Sequence, residues 1–239
     1  MFSKKLSLSL AAVAASVFAA SAVQASFTAT ISSSAGGTPV VLTPTTTSST
    51  LQISSPSTTV GSFTITNFTA TSNSPSATNE AVEVGSSVVI MNTSTSLETL
   101  TINLTDDGFT APTGSGLQAT AHGTLTWISA DAANSNDVVT AESVVNGNGV
   151  AGTRTTNTLA LGTSKADYST YLPTMSANLG TLGSPYSLGS NLTVTLNGGD
   201  SVNVVWYSTV SAVPEPTALS LLGMSALGAI LLVGRRKRA

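Results

Sequence analysis

Few residues of this 239-residue chain have side chains suited to catalysis, and its single histidine is the first to consider. His122 lies in the segment 119–123, which is typical of a strand or its edge, and it could act as a general base toward a serine. However, the chain has no Gly-x-Ser-x-Gly elbow, and serine is so common that any histidine would have serine neighbours. We therefore expect a protein that is not an enzyme, and a secreted hydrolase is the least favoured function.

Acidic residues could bind a metal ion or act as an acid–base pair, but their spacing matches neither arrangement well. Asp106 and Asp107 supply the hard oxygens that calcium prefers, yet the Asp-x-Asp-x-Asp-Gly loop is missing. We expect Asp106-Asp107-Gly108 to form a turn after a strand, and calcium binding there stays open. Glu80 and Glu83 lack a partner carboxylate at a spacing typical of glycosidases. With one histidine and no cysteine, we expect no metal centre and no cofactor.

Aromatic side chains offer a third kind of chemistry, the binding of sugar rings. Tyr168 and Tyr171 lie near Pro173 in an apparent loop and are the better exposed candidates. Trp127 and Trp206 fall in phase with apolar neighbours, which favours the core for both, although Trp127 remains a candidate sugar contact. These residues support a carbohydrate-binding β-sandwich module as the alternative function.

Composition and charge exclude several classes of protein. The absence of cysteine excludes a disulfide framework, and a charged fraction of 8% argues against a coiled coil. Between residues 26 and 213 only Arg154 and Lys165 are basic, whereas ten residues are acidic. This stretch lacks the clustered cations of a nucleic-acid-binding surface, so we expect no nucleic-acid partner.

The segment 26–213 has the alternation of β-strands that are buried on one face. Leucine, isoleucine, valine and tryptophan alternate with threonine around residues 62–66, 100–105, 124–127, 192–196 and 202–206. Threonine favours strands because its branched Cβ packs well on a pleated surface. About ten such strands, without an amphipathic helix, predict an all-β fold: an antiparallel β-sandwich of the jelly-roll or immunoglobulin-like kind.

Turn residues and polar tracts divide this segment further. Asn197-Gly198-Gly199-Asp200 lies between two alternating runs, 186–196 and 201–210, and predicts a terminal hairpin. The Ser/Thr/Pro-rich tracts at 43–49, 54–59 and 70–79 are typical of solvated loops or glycosylated stalks.

Residues 1–25 have the pattern of a secretory signal peptide. Lys4 and Lys5 precede an apolar stretch from Leu6 to Ala22, and Val23-Gln24-Ala25 provides a cleavage site after Ala25. We therefore expect export through a secretion translocon, with 26–213 as the exported Ser/Thr-rich body.

Residues 214–239 combine an extended motif, an apolar run and a basic end. Residues 217–234 are uncharged and mostly apolar, and as a helix they would span about 27 Å, close to a bilayer core of about 30 Å. This predicts a single transmembrane helix. The basic residues that follow would stay on the cytoplasmic side, because a charge at the bilayer centre is costly. Two prolines around Glu215 keep the preceding segment extended and accessible to a protease.

These three parts resemble the sorting tail of the PEP-CTERM proteins of exopolysaccharide-producing Gram-negative bacteria. The resemblance rests on the sorting motif and the apolar span 217–234; the motif comprises Pro214, Glu215, Pro216, Arg235, Arg236, Lys237 and Arg238. It implies recognition by an exosortase-like membrane transpeptidase, which would remove the hydrophobic tail, so that membrane attachment is transient. A permanent single-span anchor is the other interpretation of the same residues.

Together these features predict an exported, non-enzymatic protein of the cell surface or extracellular matrix that has a membrane-anchored precursor. A structural or adhesive role, with exopolysaccharide as the partner that the resemblance implies, is the favoured function.

Overall fold

A computed structural model describes residues 26–45, 50–75, 79–129, 136–147, 150–160 and 168–213. The predicted signal peptide, 1–25, and the predicted sorting tail, 214–239, lie outside these ranges. Within them, no helix has the length and apolar character needed to cross a membrane.

The described residues form twelve β-strands, two more than the roughly ten that we expected. Their bounds are β1 Phe27–Ser33, β2 Val40–Leu42, β3 Leu51–Val60, β4 Phe63–Ser72, β5 Glu80–Asn92, β6 Glu98–Phe109, β7 Gly114–Ser129, β8 Val138–Gly147, β9 Val150–Ala160, β10 Tyr168–Leu182, β11 Tyr186–Leu196 and β12 Ser201–Ala212.

The strands form two six-stranded sheets, which confirms the predicted all-β antiparallel sandwich. Sheet A has the order β2-β1-β6-β11-β8-β9, and sheet B has the order β10-β7-β12-β5-β4-β3. Every pairing is antiparallel. Seven of the eleven connections between consecutive strands pass from one sheet to the other. Residues that are distant in sequence are therefore neighbours on each face.

The prediction of a terminal hairpin around residues 197–200 is wrong, although the two strands on either side of the turn begin and end within two residues of the predicted positions. β11 lies in sheet A and β12 in sheet B, so the turn joins the two layers instead of two paired strands. The backbone N–H of Asp200 donates to the Asn197 carbonyl at 3.2 Å. Four extended residues are long enough to cover the separation of about 10 Å between packed sheets.

Two other sequence-based expectations are corrected by the strand bounds. Asp106-Asp107-Gly108 does not form a turn, because β6 continues through it to Phe109. The tract 54–59 is not a loop, because it belongs to β3 at the edge of sheet B. Only Leu51, Ile53 and Val60 of β3 are buried, so this edge strand lacks the alternation that would have identified it.

The space between the sheets is filled by the alternating apolar residues and by both tryptophans. β11 illustrates the pattern, since every second residue from Tyr186 to Leu196 is buried. The buried apolar residues form two clusters, a larger one around Trp127 and Trp206 and a smaller one around Phe109 and Tyr186. Buried polar side chains lie between these clusters.

Candidate functional site

The outer face of sheet B is the more apolar of the two outer faces. Three large apolar side chains that are more than a third exposed lie on the outer face of its strands β5, β7 and β10: Met91, Ile128 and Tyr171. Three half-buried valines, Val82, Val84 and Val205, lie on the same face of β5 and β12. Exposed apolar side chains that share one face of a domain are typical of a binding site.

Three rings form what we call the aromatic ridge on this face: His122 of β7, Tyr207 of β12 and Tyr171 of β10. His122 and Tyr207 are direct partners in the register of their strands. Their rings stack with centroids 4.7 Å apart and an interplanar angle of 4°. Tyr171 pairs with Thr124, two residues along β7 from His122, and its side chain is 78% exposed. Cross-strand pairs and diagonal neighbours of this kind lie within reach of aromatic side chains.

Hydroxyl groups lie on both sides of the aromatic ridge. Thr120 and Thr209 share a hydrogen bond of 2.6 Å beyond one side, and Thr126 and Ser169 share one of 2.8 Å beyond the other. On their own strands, Thr120 is two positions from His122, Thr209 from Tyr207, Thr126 from Thr124 and Ser169 from Tyr171. A hydroxyl both donates and accepts, so these pairs can reorient toward a ligand. Apolar rings between hydroxyl groups suit a sugar, which has apolar C–H faces and a rim of hydroxyls.

The structure places the three residues predicted to bind sugar in different environments. Tyr171 is exposed on the outer face of sheet B, although it lies in a strand and not in a loop. Trp127 is 0% exposed, so its interpretation as a sugar contact is wrong and the core interpretation is correct. Tyr168 opens β10 opposite Trp127, and its side chain lies outside what the structure describes.

From the sequence, Tyr207 was only one of several available aromatic residues, and His122 was considered only as a general base. The signal was present, because Tyr207 follows the inward-facing Trp206 and His122 follows the inward-facing Ala121. Each must therefore point outward. What the pattern could not show is that two residues 85 positions apart are direct neighbours.

The outer face of sheet A is different in character, since it carries mostly threonine, serine and asparagine. A shallow depression of about 180 Å³ lies over Gly189, where the side chain is missing. Its polar lining includes Asn103, Thr105, Asn146 and Ser187. No aromatic side chain lines this depression.

A layer of buried polar side chains separates the two apolar clusters of the core. On sheet B, Ser72, Glu83 and Ser208 follow one another along one register line across β4, β5 and β12. On sheet A, Ser143 pairs with Ser190, and the Ser143 and Ser208 hydroxyls hydrogen bond across the gap between sheets. The indole N–H of Trp206 donates to Ser190 Oγ at 3.1 Å. This layer joins the two sheets by side-chain hydrogen bonds.

Two carboxyl groups in this layer, Glu83 and Asp106, are fully buried. Asp106 points inward from β6 whereas Asp107 is exposed on the opposite face, so these neighbours cannot hold one calcium ion together. Burial raises the pKa of Asp106 to about 6, against the lowering effect of the Ser72 and Ser74 hydroxyls. Burial also raises the pKa of Glu83 well above its usual range, against the lowering effect of the Ser190 hydroxyl, and the charge of Asp106 raises it further.

A second acidic pair, Asp137 and Asp200, lies at the end of the sandwich near the turn 197–200. The backbone N–H and the side-chain amide of Asn197 donate to Asp137 Oδ1 at 2.8 and 2.9 Å. Burial raises the pKa of Asp137 to about 6, and the charge of Asp200 adds to this effect. These hydrogen bonds tie the turn to the residue that precedes β8.

The described residues show no catalytic or metal constellation of the common kinds. No group of three or more histidine or acidic side chains among them converges to hold a metal ion. His122 is stacked against Tyr207, and among the described residues no carboxylate or serine is hydrogen-bonded to its ring as a triad would require. The geometry around His122 is that of a surface ring pair.

No protein-family model matches the chain, and no curated protein matches it. Among solved structures, TmCBM61 in complex with β-1,4-galactotriose is 8% identical with a TM-score of 0.29, and the match covers 58% of this chain and 85% of that one. A carbohydrate-binding module of the β-sandwich superfamily is 12% identical with a TM-score of 0.30, over 75% of this chain and 82% of that one. The C-terminal CBM6 of LamC from Zobellia galactanivorans is 11% identical with a TM-score of 0.23, over 50% of this chain and 78% of that one. At these values no residue, ligand or activity is carried over.

Proposed function

We propose that this protein is a carbohydrate-binding β-sandwich and that the aromatic ridge on the outer face of sheet B is its binding site. The observation that carries the proposal is the ridge itself: the exposed Tyr171 beside the stacked pair of His122 and Tyr207, with hydroxyl pairs on both sides. Aromatic and apolar groups provide contact area in ligand sites, and a few polar groups fix orientation.

The ligand is a neutral polysaccharide. The segment 26–213 carries ten acidic and two basic residues, so its field repels polyanions. The ridge is an open strip along the sheet and not a closed cavity. An open strip suits consecutive units of a chain better than a single enclosed sugar.

The first test is affinity gel electrophoresis of the protein in gels that contain neutral polysaccharides such as galactan, mannan or β-1,3-glucan. We expect retardation in at least one gel, and at least a tenfold loss of affinity for Tyr171→Ala and His122→Ala. A tenfold loss corresponds to about 1.4 kcal/mol, which is typical of removing one aromatic contact.

The matched control is Val41→Ala, because Val41 is an exposed large apolar residue on the other sheet, 60% exposed in β2. This variant should keep the wild-type affinity. Equal losses in all three variants, or retardation in none of the gels, would contradict the proposed site. Trp127→Ala is unsuitable here because it would test the core and not ligand contact.

We further propose that the sandwich is exported and sorted by its tail, as a surface or matrix protein. Support comes from the sequence of the two ends, 1–25 and 214–239. A structural or adhesive role without a defined sugar site is the competing function, and the gels above separate the two.

The sorting proposal is tested by the intact mass of the surface-exposed protein. We expect a mass that corresponds to cleavage near Ala25 and near Pro216, and accumulation of a membrane-bound precursor when Arg235–Arg238 is deleted. Full-length chains at the cell surface with residues 214–239 still attached would instead identify a permanent anchor.

A further inference from the structure

The interior polar layer contains an arrangement that neither the sandwich nor sugar binding requires. The carboxylates of Glu83 and Asp106 are fully buried, and none of their four oxygens has a hydrogen bond of ordinary geometry to a described residue. The Ser72 and Ser74 hydroxyls lie near Asp106, and the Ser190 hydroxyl lies near Glu83. The fully buried Ser74 hydroxyl also lacks a hydrogen bond of ordinary geometry to a described residue. Buried polar groups are normally paired, and buried charges are normally paired or bound to a metal ion.

Ser72 and Glu83 come from two strands of sheet B, Asp106 comes from a strand of sheet A, and Ser74 lies in the segment after β4. Ser72 and Glu83 are direct partners in the register of β4 and β5, so both side chains point inward side by side. Asp106 faces them from β6, and the Ser72 and Ser74 hydroxyls lie close enough to lower its pKa. The charge of Asp106 in turn raises the pKa of Glu83.

The chain after β4 is held so that Ser74 stays against this cluster. The Ser74 backbone N–H donates to Ser72 Oγ at 3.2 Å. Asn73 is tied to β5, since its side-chain amide donates to the Glu80 carbonyl at 2.8 Å and its Oδ1 accepts from the Val82 N–H at 2.9 Å. The positions of the hydroxyls are therefore fixed by the fold before any ligand enters.

We propose that Glu83, Asp106, Ser72 and Ser74 form an interior calcium-binding site that links sheet A to sheet B. All the groups are hard oxygens, and no nitrogen or sulfur ligand is among them, which suits calcium and not zinc or copper. Two carboxylates balance the charge of one divalent cation. Calcium also accepts irregular geometry and neutral oxygen ligands, whereas magnesium requires a near-ideal octahedron and retains several waters.

The test measures the melting temperature of the full-length protein at about pH 7, after removal of metal with EGTA and then with added CaCl₂. We expect a saturable rise of about 5–10 °C when free calcium exceeds its Kd a hundredfold. Equilibrium dialysis with radioactive calcium should show one ion per chain that is lost in the Glu83→Gln/Asp106→Asn double variant. That variant should fold in EGTA, because it removes two buried charges.

Asp137→Asn is the matched control, since it neutralises a buried carboxylate of the other acidic pair. It should keep the bound ion and the thermal shift. A melting temperature that calcium does not change would overturn the proposal, and so would an ion lost in Asp137→Asn but retained in the double variant. These outcomes are independent of the sugar site, because neither set of variants touches the aromatic ridge.

Discussion

Replacing Gly85 with alanine is expected to destabilise the protein by at least about 3 kcal/mol. Gly85 lies directly opposite Trp206 in the register of β5 and β12, and the indole ring covers the place where a side chain would be. A Cβ at this position would overlap the Cζ2, Cη2 and Cε2 atoms of the indole. The ring cannot move aside, because it is fully buried and its N–H is bonded to Ser190. Overpacking of this kind costs about 1–3 kcal/mol, and more where nothing can shift.

The measurement is the free energy of unfolding in urea, and a double-mutant cycle identifies the cause. Trp206→Phe removes the part of the ring that overlaps Cβ, so Gly85→Ala should cost at least about 1 kcal/mol less in that background. Gly189→Ala is the control, since its Cβ would meet only backbone and one hydroxyl at 3.2–4.0 Å. Identical costs of Gly85→Ala in both backgrounds would show that the ring contact is not the reason.

The second large effect is a loss of stability as the pH rises from about 4 to about 7 in the presence of EGTA. The pKa of Asp106 is raised from 3.8 to about 6 in the folded protein, so the folded state binds the proton more tightly than the unfolded chain. The free energy of unfolding is then highest below about pH 4 and decreases until the pH passes about 6. A shift of this size corresponds to about 3 kcal/mol.

Asp106→Asn should remove this contribution and be more stable than the wild type at neutral pH in EGTA. Asp137 and Glu83 also have raised pKa values, so a smaller dependence on pH should remain in the variant. The measurement is urea unfolding at a series of pH values. Equal unfolding free energies of the wild type at pH 4 and pH 7 would show that Asp106 carries no buried charge. Saturating calcium should reduce the dependence on pH, because the ion replaces the proton.

The sequence predicted the strands well where one face is buried and poorly where it is not. β11 and β12 were predicted within two residues, because alternation is strict where one face packs against the core. β3 was missed because most of this edge strand consists of serine and threonine, so polar residues do not alternate with apolar ones along it. Asp106-Asp107-Gly108 was assigned to a turn because these residue types favour turns, yet pairing with β11 keeps them in a strand.

The candidate site was harder to predict than the fold because it depends on register between distant strands. Alternation shows that His122 and Tyr207 point outward, but it does not show that β7 pairs with β12. The same applies to Glu83 and Asp106, which lie in different sheets and meet only across the sandwich. Tyr171 was identified as exposed, and it is the one predicted sugar contact that the structure places on the aromatic ridge.

The most direct test of the sugar-binding account is hydroxyl-radical footprinting of the protein with and without a polysaccharide that retards it in the gel. The account predicts protection of Tyr171, His122 and Tyr207, while Val41 and residues around Gly189 on sheet A react as before. Protection centred on the depression over Gly189, with unchanged reactivity of Tyr171, would contradict it.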